Sequence, residues 1–436
     1  MAVTLQDTPS SNRVHIGLFG RRNAGKSSLL NAFTGQQTSI VSELPGTTTD
    51  PVKKPMELHG IGPCVFWDTA GYDDQGEIGQ ERVEKTRLAT EKVDVALLIF
   101  DGQRLKKVLT ENAFSTERGS SGERISTEND LLTLEKNWFV LLREKNTPVI
   151  LLVNKADELT REEEEQIKVL LQKEFSENNS ILFTSAVKKR GLKELHESIL
   201  RAIPEPLFDQ SILQDLVQED DLVLLVMPQD IQAPKGRLIL PQVQTIRELL
   251  DKKCSVISCT TDKLKHTLDY LSCPPKLIVT DSQAFRQVFA QKPRESLLTS
   301  FSVLFAAQKG DIRYYVESAK NLESLSDDSK VLIAECCTHA PLAEDIGREK
   351  IPRLLRKRFG ENLSVQVVSG TDFPEDLSGY DMVIQCGGCM FNRKYVLSRI
   401  ERAKKQQVPM SNYGIVLAYL AGILEDVVIP GEGEND

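Results

Sequence analysis

From residue 14 to residue 203 the chain alternates short apolar runs with longer stretches of mixed polarity. "VHIGLFG", "CVFWDTA", "VDVALLIFD" and "TPVILLVNKAD" are apolar throughout, and each ends in polar or Gly-bearing residues. Strands covered on both faces look like this, which predicts a parallel sheet. "KSSLLNAFTG" and "REEEEQIKVLLQKEF" fall between such runs and read as helices. Residues 104–129, "RLKKVLTENAFSTERGSSGERISTEN", interrupt the alternation, and their polar, Ser/Gly-bearing character predicts a mobile insertion with no share in the core. "IPEPLF", with two prolines, predicts the end of a first domain.

The pattern then resumes. "DLVLLVMPQD", "CSVISCTTD" and "KLIVTDSQ" predict strands, with helices over "VQTIRELLDKK" and "DKLKHTLDYL". A third block has strands over "KVLIAECCTH", "LSVQVVSGTD" and "DMVIQCGG". Its helices are "GREKIPRLLRKRFG", "FNRKYVLSRIERAKKQ" and "YGIVLAYLAGIL". No internal repeat at a fixed period is visible. The expected class is α/β: a first domain over residues 1–204, then two smaller α/β domains with mainly parallel sheets over 205–298 and 299–436.

Bulk composition narrows the setting. With 40% hydrophobic and 27% charged residues, the 436-residue chain is expected to fold as two to four soluble domains. No apolar run reaches membrane-span length, and the first residues lack a signal-peptide layout, so a cytoplasmic location is expected. The eight cysteines then point to metal or redox chemistry before structural disulfides. A net charge of −9 argues against general nucleic-acid binding.

"GRRNAGKS" (20–27) matches G-x-x-x-x-G-K-[ST] between an apolar strand and a helix. Gly20 and Gly25 let the backbone of Asn23, Ala24, Gly25, Lys26, Ser27 and Ser28 turn its N–H groups towards phosphate oxygens. Lys26 offers a cation to the β- and γ-phosphates, and Ser27 a hydroxyl ligand for Mg²⁺. "PGTTTD" offers Thr48 as the switch residue that closes on Mg²⁺. "DTAG" offers Asp68 for Mg²⁺ through water and the Gly71 N–H for the γ-phosphate. "NKAD" supplies Asn154, Lys155 and Asp157. The Asp157 carboxylate can accept from guanine N1–H and the 2-amino group together, a pairing adenine cannot offer. "TSA" supplies the Ser185 and Ala186 amides for the guanine oxygen. The nucleotide is therefore expected to be GTP, or GDP after hydrolysis, on a P-loop GTPase domain.

These motifs resemble the tRNA-modification and ribosome-assembly GTPases of the TrmE, Era and EngA types. By that resemblance Asn23 helps hold a K⁺ ion beside the phosphates, which neutralises charge as an arginine finger does elsewhere. Tyr72 stands where Ras-type enzymes carry a water-orienting Gln, so slow basal hydrolysis is expected. Glu77 is read chiefly as a solvated loop residue.

"QCGGC" leaves three readings open: a redox dithiol, a zinc site or an iron–sulfur site. Cys386 and Cys389 begin where the strand "DMVIQ" ends, and Cys337 and His339 share a face at the end of "KVLIAECCTH". The carboxyl ends of parallel strands gather on one rim, so three thiols and an imidazole can converge there. Zinc would take Cys₃His and close the site; a [4Fe-4S] cluster would take three thiolates and leave one iron exchangeable. The one-residue Cys337-x-His339 spacing favours the cluster. Cys336 is expected to face the core. Cys64, Cys254, Cys259 and Cys273 are read as buried small apolar residues.

GTPase motifs with C-x-H, "QCGGCMFNR" and "NYGIVLAYLAGIL" resemble the HydF maturation GTPases of [FeFe]-hydrogenases along essentially the whole chain. The resemblance implies a middle dimerisation domain and a homodimer or tetramer. It also implies a last domain that holds a [4Fe-4S] cluster through Cys337, Cys386 and Cys389. A diiron precursor would be carried there and delivered to the apo-hydrogenase, with two radical-SAM maturases as further partners. That family has His directly before its CxxC, where this chain has Gln385. His339, Asp345 or water is left for the fourth iron. The competing expectation is a GTP-dependent RNA- or ribosome-associated factor with a structural zinc.

Overall fold

The computed structural model describes residues 9–34, 51–71, 73, 77–116, 132–175, 179–204, 211–228, 238–336 and 345–431. Its contacts divide the chain into two units, Met1–Phe208 and Asp209–Asp436.

The first unit is built on a six-stranded sheet of order β2-β3-β1-β4-β5-β6. The strands are β1 (Val14–Gly20), β2 (Val52–Leu58), β3 (Gly62–Asp68), β4 (Val95–Asp101), β5 (Val149–Asn154) and β6 (Ile181–Phe183). Every residue of β1 is buried, and so is every residue of β5, because helices cover both faces of the sheet. β2 is the exception: it runs antiparallel to β3 at the edge, with Lys53, Pro55 and Glu57 on its outer side. An edge strand tolerates Pro and charge because one row of its backbone groups needs no partner.

The expected insertion begins differently from its sequence reading. Residues 104–116 continue a helix, Gly102–Thr116, that leaves β4 directly. Leu105 and Val108, one turn apart, are 1% and 3% exposed, and Leu105 joins the core with Phe100, Trp138 and Leu142. Apolar residues at helical spacing outweighed the polar average of the segment. Residues 117–129 lie outside the described residues.

The second unit holds two four-stranded parallel sheets, β10-β9-β7-β8 and β12-β11-β13-β14. The first comprises β7 (Leu222–Val226), β8 (Ser255–Cys259), β9 (Leu277–Thr280) and β10 (Leu297–Ser300). The second comprises β11 (Lys330–Ala334), β12 (Ser364–Val368), β13 (Met382–Gln385) and β14 (Met410–Asn412). The expected boundary at 298/299 falls inside β10, which pairs with β9 from Leu297 to Ser300. The strand runs without a linker into the apolar helix Phe301–Lys309, so no polar break marks the change. One core joins the two sheets: Leu224 and Ile278 of the first pack in the same cluster as Leu332 and Ile384 of the second. Among the described residues no helix is long and apolar enough to cross a membrane.

Candidate functional site

The phosphate loop follows β1 and leads into the helix Lys26–Thr34. Asn23 (φ 62°) and Gly25 (φ 86°) hold left-handed backbone, which turns the loop sharply. A Cβ on Gly25 would stand 2.3 Å from Asn154 Nδ2, and that amide donates to the Ala24 carbonyl at 3.0 Å. Asn154 thus ties the segment expected to read the base to the loop 20–27. Lys26 is 8% exposed, and its ammonium donates to the Gly20 and Arg21 carbonyls, both at 2.9 Å.

The Ser27 hydroxyl donates to Asp68 Oδ2 at 2.5 Å, so the two expected Mg²⁺ groups stand side by side. Asp68 Oδ1 is buried without a hydrogen-bond partner. Burial raises the Asp68 pKa, opposed by the Ser27 hydroxyl and by Lys26 and Lys54. A buried, orphaned carboxylate oxygen beside a serine hydroxyl fits a hydrated divalent cation. Gly71 lies against the loop: a Cβ there would meet the Arg22 nitrogen at 2.6 Å. The Arg22 amide also donates to Asp73 Oδ1 at 2.7 Å.

Lys155 is left-handed (φ 60°), and its ammonium pairs with Asp101 at 2.6 Å. Asp157 stands exposed in the turn Ala156–Glu158, open to a ligand. The Ala156 amide donates to the Thr184 carbonyl at 3.0 Å, which places Ser185 and Ala186 beside the Asp157 turn. The residues expected to read guanine therefore share one loop cluster. Ser28 follows Ser27 in the first turn of the helix Lys26–Thr34. Thr48 and Tyr72 lie outside the described residues, as does the Glu77 side chain.

In the second unit Cys386 and Cys389 follow β13 immediately, at the carboxyl rim of its sheet. The Cys386 amide donates to the Ala334 carbonyl at 3.1 Å, and Asn412 Nδ2 donates to the Cys386 carbonyl at 3.3 Å. Gly388 is left-handed (φ 68°) and accepts from the Phe391 amide at 3.0 Å. The following helix starts at Arg393 with Asn392 as its cap, so neither thiol occupies a helix N-terminus as a thioredoxin-like dithiol would.

Cys336 is buried at 5% exposure, as expected, and it also lies against Cys386. Its amide donates to Cys386 Sγ at 3.1 Å. The end of β11 beside β13 turns it that way. Burial pushes the Cys336 thiol well up, while a hydrogen bond from Cys336 lowers that of Cys386. Of the other cysteines, Cys64 and Cys254 are buried and Cys259 is half-buried; Cys273, however, is exposed, on a polar turn that offers no core to join.

Asp345 is 3% exposed, and its Oδ1 accepts from the Gly347 and Arg348 amides, both at 2.9 Å. Cys337 and His339 lie outside the described residues. Among the described residues no three His, Cys, Asp or Glu side chains form a metal-holding group. Other buried polar atoms on the rim do lack partners: Gln385 Oε1, the Tyr413 hydroxyl, and Nε and Nη1 of Arg399. Arg399 is 1% exposed and sits between the Phe373, Phe391 and Tyr395 rings at 4.7, 4.7 and 4.9 Å. Two thiols at a strand rim, with the unpaired Tyr413 hydroxyl near Cys386 and the Arg399 charge near Cys336 as donors, fit an anionic inorganic group. No motif marks Arg399, one of several charges in the helix Arg393–Lys405, or Tyr413, which opens the apolar helix Tyr413–Ala421.

Residues 15–155 match the family model described as 50S ribosome-binding GTPase. Residues 212–310 match the hydrogen maturase F dimerization domain, and residues 313–430 the hydrogen maturase F tetramerization domain. The tRNA modification GTPase MnmE of Clostridioides difficile is 32% identical over 201 residues, 45% of this chain and 37% of that protein. The GTPase Der of Wolinella succinogenes is 33% identical over 221 residues, 48% of this chain and 41% of that protein. The chain thus spans about two fifths of the length of these curated relatives. A solved structure of Era with MgGDPNP and a 16S ribosomal RNA fragment aligns at 19% identity and a TM-score of 0.34, over 57% of this chain and 93% of that one. With a GTPase domain followed by both maturase-specific domains in order, the chain belongs to the hydrogen maturase F family.

Proposed function

We propose that this chain is a GTP hydrolase and iron–sulfur scaffold that matures [FeFe]-hydrogenase. The observation that carries the reading is the Cys386/Cys389 pair on the β13 rim, within the segment that matches the tetramerization domain of hydrogen maturase F. Ser27 and Asp68 hold Mg²⁺, directly and through water, and Thr48 closes on it from the switch. Lys26 and the Gly71 amide meet the β- and γ-phosphates. Asn23 holds K⁺, and Asp157 with the Ser185–Ala186 amides selects guanine.

In the second unit Cys337, Cys386 and Cys389 hold a [4Fe-4S] cluster. When bound, that cluster supplies one iron with an exchangeable ligand, on which a diiron precursor can be carried and from which it can leave. His339, Asp345 or water completes the fourth iron. Asp345 is the weaker candidate, because its Oδ1 already caps a helical turn. GTP biases the exchange of partners through the switch that contains Thr48 and does no chemistry on the cluster. The partners are the apo-hydrogenase, two radical-SAM maturases and a second copy of this chain. K⁺ should raise the hydrolysis rate over Na⁺ at equal ionic strength.

The test is maturation itself. Protein loaded with the diiron precursor is mixed with apo-hydrogenase and GTP, and hydrogen evolution is measured. Wild type should activate the hydrogenase, and a Lys26→Ala variant loaded equally should activate it far more slowly. Equal rates would remove the coupling of nucleotide to delivery, and no activation by wild type would remove the maturation role.

A further inference from the structure

Lys309 ends the helix Phe301–Lys309 and is only 3% exposed. Its ammonium donates to the carbonyls of Phe391 at 2.9 Å, Gly388 at 3.2 Å and Cys389 at 3.4 Å. All three acceptors belong to the loop that carries the cysteine pair. That loop contains Gly387 and Gly388, the residue types that give a chain the most conformational freedom. A single ammonium directed at three of its carbonyls holds it in one shape. Arg393 Nη1 donates to the Gln308 carbonyl at 2.5 Å, a second link between the same helix end and the residues after the loop.

The charge is placed as deliberately as the hydrogen bonds. Among the described residues, the ionisable groups that act on the Lys309 ammonium are Cys389, Cys336 and Cys386, with no carboxylate among them. Neutral carbonyls solvate the cation but do not cancel it. An iron–sulfur cluster on thiolates is anionic and gains one further negative charge on reduction, and nearby charge tunes its potential.

Resting on the iron–sulfur reading above, we propose that Lys309 is the positioning residue of the cysteine site. It fixes the Cys386–Cys389 loop through three carbonyls and supplies the uncancelled positive charge that makes the bound cluster easier to reduce. Loss of that charge stabilises the oxidised form relative to the reduced one.

The experiment compares the full chain as wild type, Lys309→Met, Lys309→Gln and Lys309→Arg, each reconstituted anaerobically with iron and sulfide. Iron content, the EPR spectrum after dithionite and the midpoint potential are read. Far-ultraviolet circular dichroism and the thermal unfolding of the apo-protein serve as the control for folding of the second unit, in which Lys309 lies, and GTP binding as that for the first. Lys309→Met should bind less iron, and at the wild-type midpoint its ratio of reduced to oxidised cluster should fall about tenfold. Lys309→Arg, which keeps the charge, should stay near the wild-type midpoint. If the Met variant fails the folding control, Lys309→Gln carries the same expectation of a more negative midpoint. A neutral variant with wild-type iron content, spectrum and midpoint overturns the proposal while leaving the iron–sulfur site intact. A wild-type protein that takes up no cluster overturns both.

Discussion

Asp68 presents one oxygen to the Ser27 hydroxyl and keeps the other buried without a partner, and the unpaired oxygen is the informative one. A buried carboxylate oxygen left alone costs about 1–3 kcal/mol or more, so its retention marks a group that meets something. The same logic applies to Gly25, whose left-handed backbone and 2.3 Å approach to Asn154 leave no room for a side chain. Gly25→Ala should weaken GTP binding at least ~10-fold, from about 1–2 kcal/mol of backbone strain plus displacement of Asn154. Isothermal titration with GTP checks this, and unchanged affinity would contradict the packing described. In the proposed reading, Asp157 selects guanine by charge-assisted acceptance. Asp157→Asn should lower GTP affinity on the order of 100-fold, a loss of about 2–3 kcal/mol. The same variant should gain affinity for xanthosine triphosphate, whose 2-carbonyl accepts where the guanine amine donates. Competition against a fluorescent guanine nucleotide distinguishes the two outcomes.

Among the elements, β1 shows how burial shapes response to pH. His15 lies in it at 5% exposure; its Nε2 donates to the Ser10 carbonyl at 2.7 Å, and its Nδ1 accepts from Trp67 Nε1 at 3.0 Å. Both contacts suit the neutral ring, and burial lowers its pKa from 6.5 to about 4. Between pH 6.5 and 4 the unfolded chain therefore binds more protons at this site than the folded one. Stability from His15 is full above 6.5 and falls as pH drops towards 4, by on the order of 3 kcal/mol. Both tryptophans, Trp67 and Trp138, lie in the first unit, so urea unfolding followed by tryptophan fluorescence reports on it alone. The midpoint should fall on acidification through this window, and less so in His15→Gln. An identical drop in that variant would assign the effect elsewhere. The same scale shows what the sequence reveals. Continuous apolar runs announce β1, β4 and β5. The edge strand β2 hides behind Lys and Pro, and β6 and β14, each of 3 residues, are too short to show a period. The helix Gly102–Thr116 is masked by its polar average although Leu105 anchors it.

At the scale of the molecule, the nucleotide site is legible because phosphate binding is done by a contiguous loop. The "GRRNAGKS", "DTAG", "NKAD" and "TSA" segments therefore carry their chemistry in their spelling. The cysteine site is only half legible. Cys386 and Cys389 share one short segment, but Lys309, which reaches the Cys389 carbonyl from another helix, and Arg399, whose charge acts on Cys336, have no motif. Convergence of that kind is a product of tertiary packing. The family's dimerization and tetramerization domains lead to an assembled chain. Native mass spectrometry of the full chain should show two or four copies, and a monomer at micromolar concentration would contradict this. The central claim, a [4Fe-4S] cluster held by cysteines in a GTPase chain, is tested most directly on protein purified without oxygen. Iron, sulfide and zinc are quantified, and EPR spectra are recorded after reduction, for wild type and for Cys386→Ala with Cys389→Ala. The account predicts about four iron and four sulfide per chain with a reduced-cluster signal in wild type, lost in the double variant. Colourless protein holding one zinc per chain, or a cluster that survives removal of both cysteines, would contradict it.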